Sequence, residues 1–257
     1  MDNKYIFFID VDETLIETGK TNLSPKIVQE IKRLKNNGHI FVVSTGRAMN
    51  ATLAIQGIEV FQYLSVLLGQ CIYRTADRCL LTKPESIPKN VVLNLIRTLD
   101  NSNQFWSYKD IFIEKSLFKD FESLKKKAGV KFIEKDEFLN DLNNGNIIQM
   151  LFDGYLPEDE EVRYPDLAFY KMPFKYTDVA LKTASKAKCI DFFKTMYPGY
   201  ITVSFGDSIN DIAMFENTDI SIAMGNSSPD IKKLTTYVTK NLNDNGLIYA
   251  FKDILKL

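Results

Sequence analysis

One histidine and one tryptophan stand among the 257 residues, and there are only three cysteines. A single histidine excludes a His-Glu-x-x-His metal site and leaves one candidate base, His39, for any Ser-His or Cys-His mechanism. His39 follows Gly38 at the expected end of a helix, and there it reads as a surface residue. Cys71, Cys79 and Cys189 have no Cys-x-x-Cys spacing and leave an odd thiol in any pairing. Neither a disulfide framework nor a structural zinc site is therefore expected. Cys189, in the apolar stretch "CIDFF", reads as a small core residue.

An excess of either charge is also missing. The 32 basic and 33 acidic residues are mixed along the chain and leave a net charge of −1, which speaks against a general nucleic-acid surface and against a polybasic membrane patch. The longest apolar runs, such as "YIFFI" and "HIFVVS", are too short to span a bilayer. The chain enters its first strand by Tyr5 without the regions of a signal peptide, so a cytoplasmic protein is expected. With 45% apolar and 25% charged residues the composition is that of an ordinary globular protein. What chemistry there is must run on carboxylates, lysine and hydroxyls.

The apolar patterning is that of a parallel sheet. "KYIFFID" reads as a buried strand. "SPKIVQEIKRLKNNG" reads as a helix, with Ser24 as N-cap, Pro25 at the first helical position, an apolar stripe at Ile27, Ile31 and Leu34, and Gly38 as the stop. "HIFVVST" is a second strand, and the three together make a right-handed βαβ unit. The same style returns near the C-terminus: strand "ITVSFGD", helix "NDIAMFEN", strand "ISIAMGN", helix "SPDIKKLTT" capped by Ser228, then "YVTK" and a last amphipathic helix "GLIYAFKDILKL". Between the halves lies a stretch richer in Asn, Lys and aromatics, with Pro84, Pro88 and Pro173 near its joints. It alternates helices ("VVLNLIRTL", "LFKDFESLKKKAG", "DEFLNDLNNG") with strands ("DIFIEK", "NIIQMLFDG", "LAFYKM"). The fold class expected is α/β: a doubly wound, Rossmann-like parallel-sheet core over 1–82 and 177–257, with an inserted α/β cap domain over 83–176. The runs "KKK" (125–127) and "EDEE" (158–161) read as solvated surface.

The tips of the core strands carry the chemistry. Asp10 and Asp12 end the first strand and, two residues apart, point to the same face. Ser44, Thr45 and Gly46 end the second. Gly206 and Asp207 end the strand "ITVSF", and Asn210 and Asp211 follow one turn later. Ligands of open parallel sheets bind beyond the carboxyl ends of the strands, so these residues converge on one crevice. Four carboxylates there call for a hard divalent cation, and Mg2+ suits them best, since it takes oxygen ligands and bridges to phosphate. A carboxylate in the same crevice can attack phosphorus. The metal, a lysine, a hydroxyl and backbone N–H groups would offset the charge of the incoming phosphoryl group; Thr45 and Gly46 can supply such donors, and Lys186 in "TASKAKCIDFF" is well placed.

"DVDETL", "STGR", "SKAK" and "GDSINDIAMF", in this order, resemble the four motifs of the haloacid dehalogenase-like hydrolase superfamily. The position of the insertion and the trailing "SIAMGNSSPDIKK" resemble its Cof-type branch of small-molecule phosphatases. The resemblance implies that Asp10 is the nucleophile and Asp12 the general acid and base. It implies that Asp10, the backbone carbonyl of Asp12 and Asp207 hold magnesium with support from Asp211, and that Thr45, Gly46, Lys186 and Asn210 grip the phosphoryl group. Two departures stand out: Glu13 occupies a position where the family most often has Gly, and Leu68-Gly69 stands where many relatives carry Asn-Gly. Ser185, Lys188 and Arg47 are further candidates, with Arg47 as much a brace for its loop as a substrate contact.

The reading is thus a magnesium-dependent phosphatase of small phosphorylated metabolites, sugar phosphates by default, using an aspartyl-phosphate intermediate. No nucleic-acid or membrane partner is expected. A phosphomutase of the same fold, and a phosphoryl-binding regulatory module like a response-regulator receiver, are the other readings open to these residues. Trp106, Tyr108 and Phe112 are expected in the core of the cap.

Overall fold

The computed structural model describes residues 3–102, 104–118, 130–172 and 175–257. The chain forms two compact units. One comprises residues up to Arg47, Thr52–Lys83 and Ser185–Leu257; the other comprises Ala48–Ala51 and Pro84–Ala184.

The first unit starts with β1 (Tyr5–Ile9), α1 (Pro25–Asn36) and β2 (Ile40–Ser44). Ile6, Phe7, Phe8 and Ile9 are all fully buried, because β1 lies in the middle of the sheet and both its faces are covered; this is why it reads as a continuous apolar run. Helix α1 begins after Ser24 with Pro25 at its first turn and buries Ile27, Ile31 and Leu34. Gly38 then takes a φ of +87°, which favours glycine. The next residue corrects the sequence reading. His39 is buried, its Nδ1 accepts the Tyr5 N–H at 3.2 Å, and its ring lies against Tyr5 and Phe7. It stands immediately before β2, so the end of a helix and the entry to a buried strand fall on the same few residues.

After α2 (Met49–Leu53), the chain forms β3 (Tyr63–Val66), β4 (Cys71–Arg74) and β5 (Cys79–Leu80), the last two antiparallel.

In the second unit, α3 (Lys89–Asn101) precedes a hairpin of β6 (Trp106–Lys109) and β7 (Glu114–Ser116). "DIFIEK" is therefore not one strand: residues 110–113 are the turn of the hairpin, because the Asp110 carboxylate accepts from the N–H groups of Phe112 and Ile113. The chain continues through β8 (Val130–Phe132), α4 (Lys135–Asn143), β9 (Gln149–Asp153), α5 (Glu158–Glu161), β10 (Leu167–Met172) and β11 (Tyr176–Leu181). The sheet order is β10-β11-β9-β6-β7-β8. Trp106, Tyr108, Met150, Phe152 and Val179 pack with Val92, Leu95 and Leu99 of α3 and Phe138 and Leu142 of α4. Trp106 and Tyr108 thus take the core positions expected of them, whereas Phe112, at the hairpin tip, is 54% exposed. The expected domain boundary at 176/177 and the division after Ala184 differ because β11 pairs along its length with β10 and β9. Most of "LFKDFESLKKKAG", the run 125–127 and Pro173 lie outside the described residues.

The C-terminal part returns to the first unit with α6 (Lys186–Met196), β12 (Ile201–Gly206), α7 (Ile212–Asn217), β13 (Ile220–Ala223) and β14 (Tyr237–Val238). The sheet order is β14-β13-β12-β1-β2-β3-β4-β5, parallel from β14 to β3. The mixed α/β class with a parallel core sheet is as expected. On one face Ile6, Phe8, Val42 and Tyr63 meet Cys189, Ile190 and Phe193 of α6. Elsewhere Phe7, Phe41, Phe205 and Phe251 form a cluster with ring centroids 4.8–6.3 Å apart, edge-on and tilted pairings that aromatic quadrupoles favour. Phe251 comes from the last helical segment, which turns from α (Gly246–Tyr249) to π geometry (Ala250–Ile254). No described helix is long and apolar enough to cross a membrane.

Candidate active site

Asp10 follows the last residue of β1, and its N–H donates to the Phe205 carbonyl of β12 at 3.0 Å. The buried Val11 anchors the turn beyond it, its carbonyl accepting from the N–H groups of Leu15 and Ile16 at 2.9 and 3.0 Å. This turn forces Glu13 to a φ of +58°, the left-handed conformation for which glycine is the ordinary choice. Glu13 compensates through its side chain, which accepts the Thr18 N–H at 2.8 Å.

The structure gathers Asp10, Asp207 and Asp211, each with a carboxylate oxygen within 4.8 Å of the others. Lys186, at the start of α6 and 1% exposed, reaches Asp10 at 2.5 Å, Asp211 at 2.6 Å and the Asn210 side-chain oxygen at 3.5 Å. Asp211 is wholly buried. Its Oδ2 accepts the N–H groups of Asp207 and Ser208, both at 3.0 Å, while its Oδ1 takes Lys186. Gly206 makes room for this: a Cβ there would sit 2.4 Å from Asp211 Cγ. Thr14 and Ser208 are the participants that motif reading missed. Thr14 Oγ1 donates to Asp207 at 3.4 Å, and Ser208 Oγ donates to Asn210 Oδ1 at 2.9 Å. Both lie inside the quoted motifs, so their neighbours were the available signal.

Burial dominates the electrostatics. It raises the Asp10 carboxyl well above the usual carboxylate range, against the opposing pull of Lys186 and with the neighbouring aspartates adding to the rise. Burial, and then the charge of Asp211, push Asp207 up to about 7. Burial works against the Lys186 ammonium, yet Asp10 and Asp211 more than offset it, and its pKa is raised. Several acids around one lysine are short of positive charge. A divalent cation among the three oxygens would restore the ionised forms, and three carboxylates are the hard oxygen donors that Mg2+ prefers.

The carboxylate of Asp12 lies outside this three-residue group. It is held by Arg47, whose Nη2 and Nε donate to Oδ1 at 2.7 Å and Oδ2 at 3.0 Å. Arg47 follows Thr45 and Gly46 in the loop after β2. There the Thr45 N–H donates to Ser65 at 2.9 Å, and Thr45 Oγ1 accepts the Arg47 N–H at 3.2 Å. Leu67 and Leu68 pin this loop from outside, donating their N–H groups to the carbonyls of Arg47 and Thr45, both at 3.1 Å. They do so in left-handed conformations, φ +53° and +55°, followed by Gly69 at +82°. A Cβ on Gly69 would lie 2.3 Å from the Ser185 carbonyl oxygen. Ser185 serves as N-cap of α6, accepting the Ala187 N–H at 3.1 Å, and Lys188 is exposed.

With this geometry in place, comparison with known proteins is direct. The family model for haloacid dehalogenase-like hydrolases matches residues 7–251. The chain is 26% identical to Bacillus subtilis YkrA, named "Putative phosphatase", over 99% of this chain and 98% of that protein. It is 22% identical to the B. subtilis 5-amino-6-(5-phospho-D-ribitylamino)uracil phosphatase YitU over 98% of each. Among solved structures, the subclass IIB sugar phosphatase BT4131 superposes with a TM-score of 0.81 at 21% identity, covering 98% of this chain and 99% of that one. The chain belongs to the haloacid dehalogenase-like hydrolase family. Within it the match is to the Cof-type branch, and the protein is a hydrolase of phosphoric monoesters.

Proposed function

We propose that the protein is a magnesium-dependent phosphatase of small phosphomonoesters, sugar phosphates first among them, working through an aspartyl-phosphate on Asp10. The observation that carries this reading is the trio of carboxylates Asp10, Asp207 and Asp211, of which Asp10 and Asp211 are buried and held by Lys186 and Asp207 is half-buried beside them. In the first half-reaction a carboxylate oxygen of Asp10 attacks phosphorus, the bond from phosphorus to the leaving oxygen breaks, and Asp12 gives that oxygen its proton. In the second, Asp12 takes a proton from water, the oxygen of that water attacks phosphorus, and the bond to Asp10 breaks, releasing inorganic phosphate. Lys186, Asn210, Thr45 and Gly46 hold the phosphoryl oxygens, and Lys186 also orients Asp10. Arg47 keeps Asp12 in place between turnovers.

Asp10, the backbone carbonyl of Asp12 and Asp207 would hold the metal ion, with Asp211 behind them. A divalent ion held by these residues would supply positive charge against that building on the phosphoryl oxygens. Asp211 has one oxygen on two backbone N–H groups and the other on Lys186, an arrangement suited to bracing its neighbours. For the substrate, the names of BT4131 and YitU point to a sugar phosphate and to a phosphorylated ribityl compound. Both are polyhydroxylated compounds carrying a phosphate monoester, and that is the class proposed.

The test is phosphate release from p-nitrophenyl phosphate and a panel of sugar and polyol phosphates, with magnesium or with EDTA, for wild type and Asp10→Asn. Magnesium-dependent release abolished by the substitution is expected. Transfer of the phosphoryl group to a second sugar without free phosphate would indicate a mutase instead. A phospho-Asp10 that persists for minutes would indicate a receiver-like module.

A further inference from the structure

The helix that follows the loop after β2, α2, starts on acceptors supplied from far along the chain. The Met49 N–H donates to the carbonyl of Ile111 at 3.2 Å, and the Asn50 N–H to that of Phe112 at 2.8 Å. The first N–H groups of a helix have no partner within it, so these two carbonyls fix where α2 begins. They belong to the turn between β6 and β7, and turn and helix start lie in the same compact unit.

The turn itself is shaped by one side chain. Asp110 Oδ1 accepts the N–H groups of Phe112 at 2.7 Å and Ile113 at 2.8 Å, and the Asp110 N–H donates to the Ile113 carbonyl at 3.1 Å. Its Oδ2 lies 3.1 Å from Lys115 Nζ, which also reaches Asp141 at 2.7 Å and Glu137 at 3.2 Å on α4. The Phe112 ring at the tip is more exposed than buried, so hydrogen bonds rather than packing of that ring define the tip. On the other side of Met49, only Ala48 separates it from Arg47. The Arg47 N–H is on Thr45 Oγ1 and its guanidinium is on Asp12.

We infer that Asp110 is a positioning residue for the reaction: by holding the carbonyls of Ile111 and Phe112 toward α2, it sets the start of that helix and through it the placement of Arg47 against Asp12. The inference rests on the phosphatase reading for its kinetic consequence, but not for its structural one. A shift of the loop by even an ångström costs up to about a hundredfold in rate when reacting groups are misplaced, so a residue far from the reacting atoms in sequence can matter this much.

The experiment uses the full chain with Asp110→Asn, Asp110→Ser and Asp110→Ala. Asparagine keeps the accepting oxygen, serine offers a weaker one, and alanine offers none. We expect kcat on p-nitrophenyl phosphate to stay within about twofold in the Asn variant, to fall in Ser and to fall about tenfold in Ala. Amide hydrogen exchange at Met49 and Asn50 should accelerate in the same order, while the amides of β1 keep their protection. A lowered melting temperature with kcat and these two amides unchanged would overturn the inference, because it would make Asp110 a stabiliser of the hairpin alone. Should the Ala variant not fold, Ser against Asn decides on the same two readouts. Should wild type release no phosphate, the phosphatase reading fails by itself. Exchange at Met49 and Asn50 then decides whether Asp110 sets the helix start, unchanged rates overturning it.

Discussion

Arg47 holds both carboxylate oxygens of Asp12, at 2.7 and 3.0 Å, with a planar fork that lysine does not possess. Both side chains are partly exposed, 22% and 41%, so the pair contributes little to stability, about 1 kcal/mol at most. Its value is orientation. Arg47→Lys should lower kcat on an aryl phosphate about tenfold and shift the melting temperature by no more than about 4 °C. Steady-state kinetics beside thermal unfolding check both numbers, and an unchanged kcat would remove Arg47 from the mechanism.

At the proposed metal site, proton and metal would compete for the same oxygens. Asp207, raised to about 7 by burial and by Asp211, must lose its proton to serve as a ligand. The magnesium concentration for half activation should therefore rise at least about tenfold per pH unit below 7 and level off above it. Titrations of activity with magnesium between pH 5.5 and 8.5 measure this. Asp207→Asn should abolish activation at every pH.

Glu13 sits at φ +58° and yet contributes a hydrogen bond to Thr18. The left-handed conformation costs a non-glycine residue about 1 kcal/mol, and the bond returns a similar amount. Glu13→Gly should thus be nearly neutral in stability. Glu13→Ala keeps the strain and loses the bond, and should cost about 1 kcal/mol. Urea denaturation of the pair separates the two contributions.

His39 has its pKa lowered by burial, with Lys4 and Arg33 adding to the effect. The folded state resists the proton that the unfolded chain accepts near pH 6.5, so its contribution to stability is complete above that value and is lost as pH falls below it. Asp10 and Asp207, raised in the folded state, act in the opposite sense, gaining stability as pH falls. The difference between wild type and His39→Gln isolates the histidine. It should be constant above pH 7 and change by pH 5 in favour of the variant.

Much of this was legible in the residues themselves. β1 and β2 announce themselves because strands buried on both faces must be apolar throughout, and α1 because Pro25 in its first turn and Gly38 after its end each have one structural use there, whereas Ser24 holds the N-cap position without a side-chain hydrogen bond. The acidic residues at strand tips were legible because charge at a buried strand end has few non-functional explanations. Other features depended on contacts distant in sequence. "DIFIEK" has strand composition, and only the Asp110 side chain turns it into a hairpin tip. β11 follows a proline in a polar stretch, so that its place in the second sheet comes from pairing with β9 and β10 rather than from its own pattern. His39 looked exposed since a glycine precedes it, while the Tyr5 N–H that it accepts lies on another strand. Leu67 and Leu68 carry no composition signal for a left-handed turn; the carbonyls of Thr45 and Arg47 impose it.

The second unit contains Ala48–Ala51 as well as Pro84–Ala184, so the chain crosses from one unit to the other four times rather than twice. The longer stretch is thus not a self-sufficient module. Grafted alone onto a related core, residues 84–184 would arrive with the carbonyls of Ile111 and Phe112 lacking the N–H groups of Met49 and Asn50. Recombination between relatives of this protein should therefore succeed when the short piece after Arg47 travels with the long one, and two segments so far apart in the gene would be inherited as a pair.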